Sequence, residues 1–438
     1  MIYPTRRAVI LMGVGVPAAL MAGALTPGGW WLGPIWIAAL IAAVGVDAVL
    51  AGSRSSLKLD TPPPVEAAVG RAGALPLRVH FGGRGPVPRA VEAIITGQAT
   101  LGLKPVARSA PVEGRAAVSD FPFAPVRRGD AAVETLRLRW RGPLGLAYKQ
   151  KTFALGLTIP VHTDLEWVRD RALTLFARDA QAGTRIQRDR GEGSEFQALH
   201  EFQPGMDRRT IDWKQSARHA ALLAKEFRSE RNNNIVLALD CGRSGSEPVG
   251  GMPRIDRFIH VALLVALAGL KMGDRIGLYA FDSAPRLSTG IVTGPGAFRT
   301  LQQMAGRVDY STHETNYTLG LSQLSSQLKR RSLIMVFTDF TDTTSAELMI
   351  ESVGRLLRRH LVLFVVLRDE ELETLAAAAP QAPDDVARAV VAAAMTRERD
   401  VVITRLRRMG VHIVDAPAER MGPEVVEAYL ELKRRDLL

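Results

Sequence analysis

The run IVLALD at 235–240 constrains this chain more than any other stretch, because five large aliphatic or small apolar residues lead straight into an acid. An unbroken apolar run of that length reads as a strand covered on both faces, as in the middle of a parallel sheet. Asp240 then falls at the carboxyl end of the strand, where open α/β sheets bind ligands. Gly242, Ser244 and Ser246 follow on a tight turn. A carboxylate with hydroxyls behind it offers hard oxygen ligands, which suit Mg²⁺, Mn²⁺ or Ca²⁺ better than zinc.

A second run of the same kind, Ser332–Thr338, ends at Asp339. Between and after the two lie helical patterns at 254–272, Ala297–Gly306, 318–329, 345–359 and 423–433, and further apolar strands at Arg275–Phe281, 361–367 and 412–415. Strands alternating with helices of this length predict an α/β fold with a doubly wound, mainly parallel sheet and right-handed crossovers. Asp240 and Asp339 are expected at equivalent strand ends, where two close carboxylates would repel unless a cation or proton sat between them.

With 438 residues the chain exceeds one ordinary core, and its apolar residues are unevenly spread. Two almost uncharged stretches, 8–25 and 30–50, are each long enough to cross the hydrocarbon core as a helix, and Thr26-Pro27-Gly28-Gly29 makes the turn between them. Arg6 and Arg7 precede the hairpin, Arg54 and Lys58 follow it, and the turn carries no positive charge, so both ends are placed in the cytoplasm. The expected location is a cell membrane, multi-pass, with the globular domains inside. Asp47, near the inner end of the second span, is expected to reach the headgroups. A cleaved signal peptide is the competing reading, since Ala22-Gly23-Ala24 resembles a cleavage site.

The divisions expected are 1–58 for the transmembrane hairpin, 59–163 for a β-rich module, 164–231 for a linker and 232–438 for the α/β domain. Short alternating runs in the second of these (LPLRVHF, VEAIITG, ETLRLRW, FALGLTIPV), broken by Gly and Pro, predict a small β-sandwich-like unit. An alanine-rich region, 370–396, reads as a helical insertion.

A formal net charge of +11 raises the question of nucleic acid. The basic residues are dispersed and no nucleic-acid-binding signature accompanies them, so attraction to anionic membrane lipid is the better use of that charge. The single cysteine, Cys241, excludes an intramolecular disulfide.

The linker holds Glu195 and Phe196, then Pro204, Gly205, Asp207, Arg209, Asp212, Trp213 and Arg218 in FQPGMDRRTIDWKQSAR. Physically, Pro204-Gly205 is a turn, the acids can pair with nearby arginines, and Trp213 is a large apolar anchor. These residues are expected either to brace the β module onto the α/β domain or to bind a partner. The pattern G-x-E-F, then F-x-P-G-x-D-x-R-x-I-D-W-K-x-S-A-R, leading into a strand that ends in Asp, resembles the bacterial domain-of-unknown-function 58 family. Met206 stands where that family usually has a further acid.

The resemblance implies a hairpin in the inner (cell) membrane of a bacterium, a β module and a von Willebrand factor A-type (vWA) domain. It implies a metal-ion-dependent adhesion site of the D-x-S-x-S kind, which falls on Asp240, Gly242, Ser244, Thr315 and Asp339. Gly242 replaces a serine ligand and so weakens any Mg²⁺ or Mn²⁺ site. It also implies a MoxR-type AAA+ ATPase as partner, alongside other membrane or envelope proteins, and a non-enzymatic adaptor role in complex assembly or maturation. The competing enzymatic reading is a serine hydrolase with Ser244 as nucleophile, but Ser246 occupies the position where the nucleophile elbow needs glycine. No phosphate-binding loop of the G-x-x-x-x-G-K-[ST] type occurs.

Overall fold

The structure is a computed structural model that describes residues 2–26, 28–60, 65–82, 86–181, 190–203, 208, 211–219, 221–228, 232–340 and 343–438. It divides into two compact units, Met1–Thr163 and Asp164–Leu438.

In the first unit a short strand β1 (Ile2–Pro4) leads into helix α1 (Arg6–Leu25), whose N-terminus is capped by Thr5 Oγ1 accepting from Ala8 N at 3.3 Å. Helix α2 (Leu32–Leu50) returns beside it, and Trp36 Nε1 donates to Leu11 O at 3.0 Å. Both helices are long and apolar enough to cross a membrane, and only 11% and 17% of their most apolar windows are buried. An apolar surface left that open in an isolated chain needs lipid to cover it, so this end of the chain associates with a membrane.

The module that follows contains β2 (Leu57–Leu59), β3 (Gly73–Phe81), β4 (Ala90–Gly97), β5 (Arg108–Pro111), β6 (Ala116–Phe123), β7 (Gly129–Arg141) and β8 (Ala147–His162). One sheet runs in the order β1-β8-β7-β4-β5 and the other in the order β2-β3-β6. Alternate residues Leu75, Leu77, Val79 and Phe81 of β3 are buried, as are Leu136, Leu138 and Trp140 of β7. The inner faces meet where Phe81 and Trp140 pack edge to face at 5.8 Å.

Asp47 departs from expectation. It is completely buried, and its carboxylate accepts backbone N–H groups from Leu144 at 2.6 Å, Leu146 at 2.7 Å and Ala147 at 2.8 Å, all in the turn between β7 and β8. A Cβ at Gly142 would lie 2.3 Å from Asp47 Oδ1, so only glycine lets that turn approach. Thr5 Oγ1 adds a bond to Gly145 O at 2.7 Å, and Trp140 Nε1 another to Ala51 O at 2.5 Å. The acid therefore clasps the β module to the foot of the helical hairpin instead of meeting headgroups.

The second unit opens with α3 (Leu165–Gln181), β9 (Arg190–Glu201), α4 (Trp213–His219) and β10 (Leu223–Arg228), of which β9 and β10 pair antiparallel. The main sheet follows: β11 (Asn234–Asp240), a four-residue turn of helix α5 (Arg243–Ser246), α6 (Arg254–Lys271), β12 (Arg275–Phe281), β13 (Pro285–Val292), α7 (Ala297–Gly306), α8 (Tyr317–Gln327) and β14 (Ser332–Thr338). It is completed by α9 (Thr343–Leu357), β15 (Leu361–Arg368), α10 (Glu370–Ala377), α11 (Pro383–Arg408), β16 (His412–Pro417) and α12 (Ala418–Arg434).

Strand order is β13-β12-β11-β14-β15-β16, with every pairing parallel except that of the edge strand β13. Two buried clusters cover its faces. Ile235, Leu237 and Leu239 join Leu333, Met335 and Phe337 under α6 and α12, while Val236, Ala238, Ile334 and Val336 pack on the other side with Tyr317, Met349 and Val353. The parallel strands place Asp240 and Asp339 at one rim, as their carboxyl ends must lie together.

Candidate functional site

Three segments bring polar groups to this rim. β11 ends in Asp240, which is 1% exposed; β14 ends in Thr338 and is followed by Asp339, 8% exposed. The loop before α8 supplies Thr315 and the first residue of the helix supplies Tyr317, the junction being held by Asn316, whose side chain caps the helix by accepting from Leu319 N at 3.0 Å.

Around Asp240 every acceptor position is taken. Thr315 Oγ1 and Gly242 N donate to Oδ1 at 2.6 and 3.0 Å, while Thr338 Oγ1 and Tyr317 OH donate to Oδ2 at 2.6 and 2.8 Å. Burial pushes the Asp240 carboxyl above its usual range, outweighing the four donors that pull it down. The same burial, and the charge of Asp240, push the Tyr317 phenol well up, so that it remains a donor.

Asp339 has different company. The register pairs Leu239 with Phe337, which sets Asp240 level with Thr338 and puts Asp339 one residue further, on the alternate face of the sheet. There Arg254, the first residue of α6, places Nε 3.1 Å from Asp339 Oδ2 as an ion pair. The same guanidinium reaches Glu247 at 3.1 Å and Asp369 at 3.3 Å. Arg399, from α11, lies 4.0 Å from Asp339 Oδ1 and binds Asp415 at 2.5 Å. Phe340 N takes the remaining position on Oδ1 at 2.9 Å.

The side chains of Asp240 and Asp339 are not arranged around one point, as a shared divalent cation would require. Among the described residues the carboxylates of Asp240 and Asp339 share no hydrogen-bond donor, and Asp339 already has cations in two arginines. Gly242 matters here: a Cβ on it would lie 2.0 Å from Thr315 Oγ1. With no side chain at 242, the threonine hydroxyl closes directly onto the carboxylate that it was expected to share with a metal. Ser244 contributes its carbonyl, which accepts from Arg254 Nη1 at 3.3 Å and Glu247 N at 3.3 Å. The donor set in this arrangement does not fit Mg²⁺ or Mn²⁺, which needs oxygens free to face one point.

A neighbouring acid, Asp282, is also buried. Burial pushes it up, but hydrogen bonds from Arg286, Ser311 and the Ala284 N–H prevail and hold its carboxyl at about 2. His313 Nδ1 lies 3.2 Å from Ser311 Oγ. It serves Ser311 and not Ser244. The Cys241 thiol, between Asp240 and this group, is pushed up to about 12 by burial and by the charges of Asp240 and Asp282.

Of the linker signature, Pro204, Gly205, Asp207 and Arg209 lie outside the described residues, as do the side chains of Glu195 and Phe196 on β9. Asp212 caps α4, accepting from Lys214 N at 3.0 Å and Gln215 N at 3.2 Å. Trp213 does not act as an apolar anchor: its side chain is 69% exposed on the first turn of α4. Arg218 is exposed at the end of the same helix. Tyr317, Thr338, Arg254 and Arg399 were not anticipated. Tyr317 and Thr338 sit two and one residues from anticipated positions, whereas nothing local marks the arginines.

Residues 198–405 match the family described as Protein of unknown function DUF58. The chain is 28% identical over 126 residues to the Uncharacterized protein YeaD of Bacillus subtilis (strain 168), a match spanning 29% of this chain and 31% of that relative. Among solved structures it is similar to the SpRpn10 VWA domain, with 11% identity, a TM-score of 0.29, and coverage of 44% of this chain and 93% of that one. It is also similar to the conserved hypothetical protein BatB from Bacteroides thetaiotaomicron, with 10% identity, a TM-score of 0.30, and coverage of 44% and 98%. An aerotolerance-related membrane protein from Bacteroides fragilis NCTC 9343 gives 11% identity, a TM-score of 0.30, and coverage of 45% and 96%.

Proposed function

We propose, from the premise that the chain belongs to the DUF58 family, that it is a membrane-anchored, non-enzymatic adaptor whose vWA-like α/β domain binds a protein partner. The reading includes two membrane crossings by α1 and α2, with the globular part in the cytoplasm. The basic residues Arg6, Arg7, Arg54 and Lys58 on either side of the hairpin support that orientation. A MoxR-type AAA+ ATPase is the proposed partner, and assembly or maturation of a membrane-associated complex the proposed task.

The observation that carries this reading is the wiring of the sheet rim. Asp240 is held by Thr315, Tyr317, Thr338 and Gly242, and Asp339 by Arg254 and Arg399, so the reactive groups are spent on fixing loops that come from distant parts of the chain. Such wiring gives a rigid recognition surface rather than groups free to transform a substrate. It also makes recognition independent of a divalent cation. Trp213, exposed within the signature, is a ready contact for the partner.

The test is to tag the full chain in its own membranes, cross-link, solubilise and identify what co-purifies. Enrichment of an AAA+ ATPase by about tenfold over an untagged control, unchanged by Ser244→Ala, is the expected result. Hydrolysis of an acyl ester by the purified chain, abolished by Ser244→Ala, would overturn it in favour of a hydrolase.

A further inference from the structure

Helix α11 (Pro383–Arg408) is more than a spacer. Its inner face is buried mainly in its second half, where Val402, Ile403 and Leu406 join Met349 and Val353 of α9, with Ala392 the buried residue of the first half. The first half lies against α10 and leaves Val386, Val390 and Val391 exposed at 48%, 63% and 58%.

The outward side is ordered by position. Val386, Val390 and Ala394 recur four residues apart, and the same stripe continues through Arg397, Val401 and Arg405 to Arg408. Spacings of 4, 4, 3, 4, 4 and 3 keep one line of side chains along a helix over its whole length. All these residues are exposed. The stripe is thus apolar in its first half and mainly basic in its second, where Arg397, Val401, Arg405 and Arg408 form an open face together with Thr404 and Asp400. Arg405 pairs with Glu347 at 3.4 Å, but both partners are more than half exposed, and such a contact is weak.

We propose that this stripe is a docking surface for one amphipathic helix of a protein partner, apolar along one half and acidic along the other. The inference deepens the adaptor reading, on which it rests, by naming the element that faces the partner and the chemistry it selects. Charge decides the occupant. A second copy laid parallel would stack arginine on arginine, and one laid antiparallel would set arginines over valines, so neither arrangement of two such helices satisfies both halves. An anionic lipid surface would be drawn to the same arginines but is flat and offers no apolar side chains at the spacing of the valines, and the vesicle arm of the test separates it from a helix. An acidic helix meets the arginines and covers the valines together.

The probe is a synthetic amphipathic helical peptide of about 22 residues, leucine-lined in one half and glutamate-lined in the other, with a twin carrying lysine for glutamate. Binding to the full chain in detergent is followed by fluorescence anisotropy. The acidic peptide is expected to bind, and to weaken by about tenfold or more with Val390→Glu and with the double change Arg405→Glu/Arg408→Glu. The lysine twin is expected to prefer that double variant. Equal binding of the two peptides, no binding to the parent chain, displacement by phosphatidylglycerol vesicles, or a concentration-dependent dimer lost in Val390→Glu would each overturn the assignment. Failure here with an ATPase still co-purified would leave the adaptor reading standing, whereas success here without a co-purified ATPase would remove that partner and keep the surface.

Discussion

Thr315 Oγ1 lies 2.6 Å from Asp240 Oδ1 and fills the space that a side chain at position 242 would need. The glycine and the closed threonine are two halves of one arrangement. Gly242→Ser, which restores the hydroxyl of the adhesion-site pattern, is therefore expected to destabilise the domain by about 1–3 kcal/mol, since the new Cβ would sit 2.0 Å from the threonine oxygen in a packed site. Thr315→Ala should lose less on the Gly242→Ser background than on the parent, because the clash has gone. Denaturant melts of the four proteins in a double-mutant cycle measure the coupling, and additive losses would show that the two residues do not compete for space.

The two buried acids on this side of the rim predict opposite pH effects. Asp282 is held at about 2, below its unfolded value, so it contributes stability above about pH 4 that is lost as pH falls towards 2. Arg286→Ala should move that acid loss to higher pH. Asp240 is raised, so the unfolded chain ionises first and stability falls as pH rises past about pH 4, until the folded carboxyl ionises as well. Asp240→Asn removes this penalty. Its stability relative to the parent should therefore be greater at pH 7 than at pH 4, and a difference that stays flat with pH would contradict the raised value.

How far the chain could be read in advance followed from where the information sits. Strands β12 and β14 came out with their full extents because burial on both faces writes itself as an unbroken apolar run, and β11 missed only its end residues. Strand β13 was missed: an exposed edge strand alternates with polar residues and is interrupted at Gly290. Helix α12 begins at Ala418, five residues before Pro423, so that the proline lies inside the helix and lacks the N–H that would bond Glu419 O, which is why it reads locally as a start. At the site, Asp240, Thr315 and Asp339 were legible from spacing, but which face each carboxylate takes depends on the register of β11 against β14, and no local pattern encodes that register. Arg254 and Arg399 stayed hidden for the same reason, being 85 and 60 residues from Asp339 in sequence by their numbering.

At the other end of the molecule, Asp47 predicts how hairpin and β module hold together. Asp47→Ala leaves one buried and two part-buried N–H groups at the β7–β8 connection without their acceptor, a loss of about 1–3 kcal/mol. Asp47→Asn keeps one acceptor oxygen and should lose less. Thermal melts in detergent, with limited proteolysis of the segment between α2 and β2, measure it: the alanine variant should be cut there earlier than the parent. Equal cleavage of both proteins would show that the clasp does not hold the turn.

Arg254 is the strongest test of the rim. Its guanidinium is 8% exposed and stands between Asp339, Glu247 and Asp369, so Arg254→Met leaves three acids facing one another around a buried site. Breaking a buried ion pair by removing one partner costs about 3–5 kcal/mol, because the remaining charge keeps its desolvation penalty. If the guanidinium is the cation of this site, the parent should show no rise in melting temperature with millimolar Mg²⁺ or Mn²⁺, while the Arg254→Met variant should regain part of its loss when either ion is added. Adding Asp339→Asn to that variant should recover stability without metal, since one of the crowded charges has then been removed. A parent that gains as much from Mg²⁺ as the variant does would mean that a metal, and not arginine, balances Asp339, and the cation-independent account of recognition would fall with it.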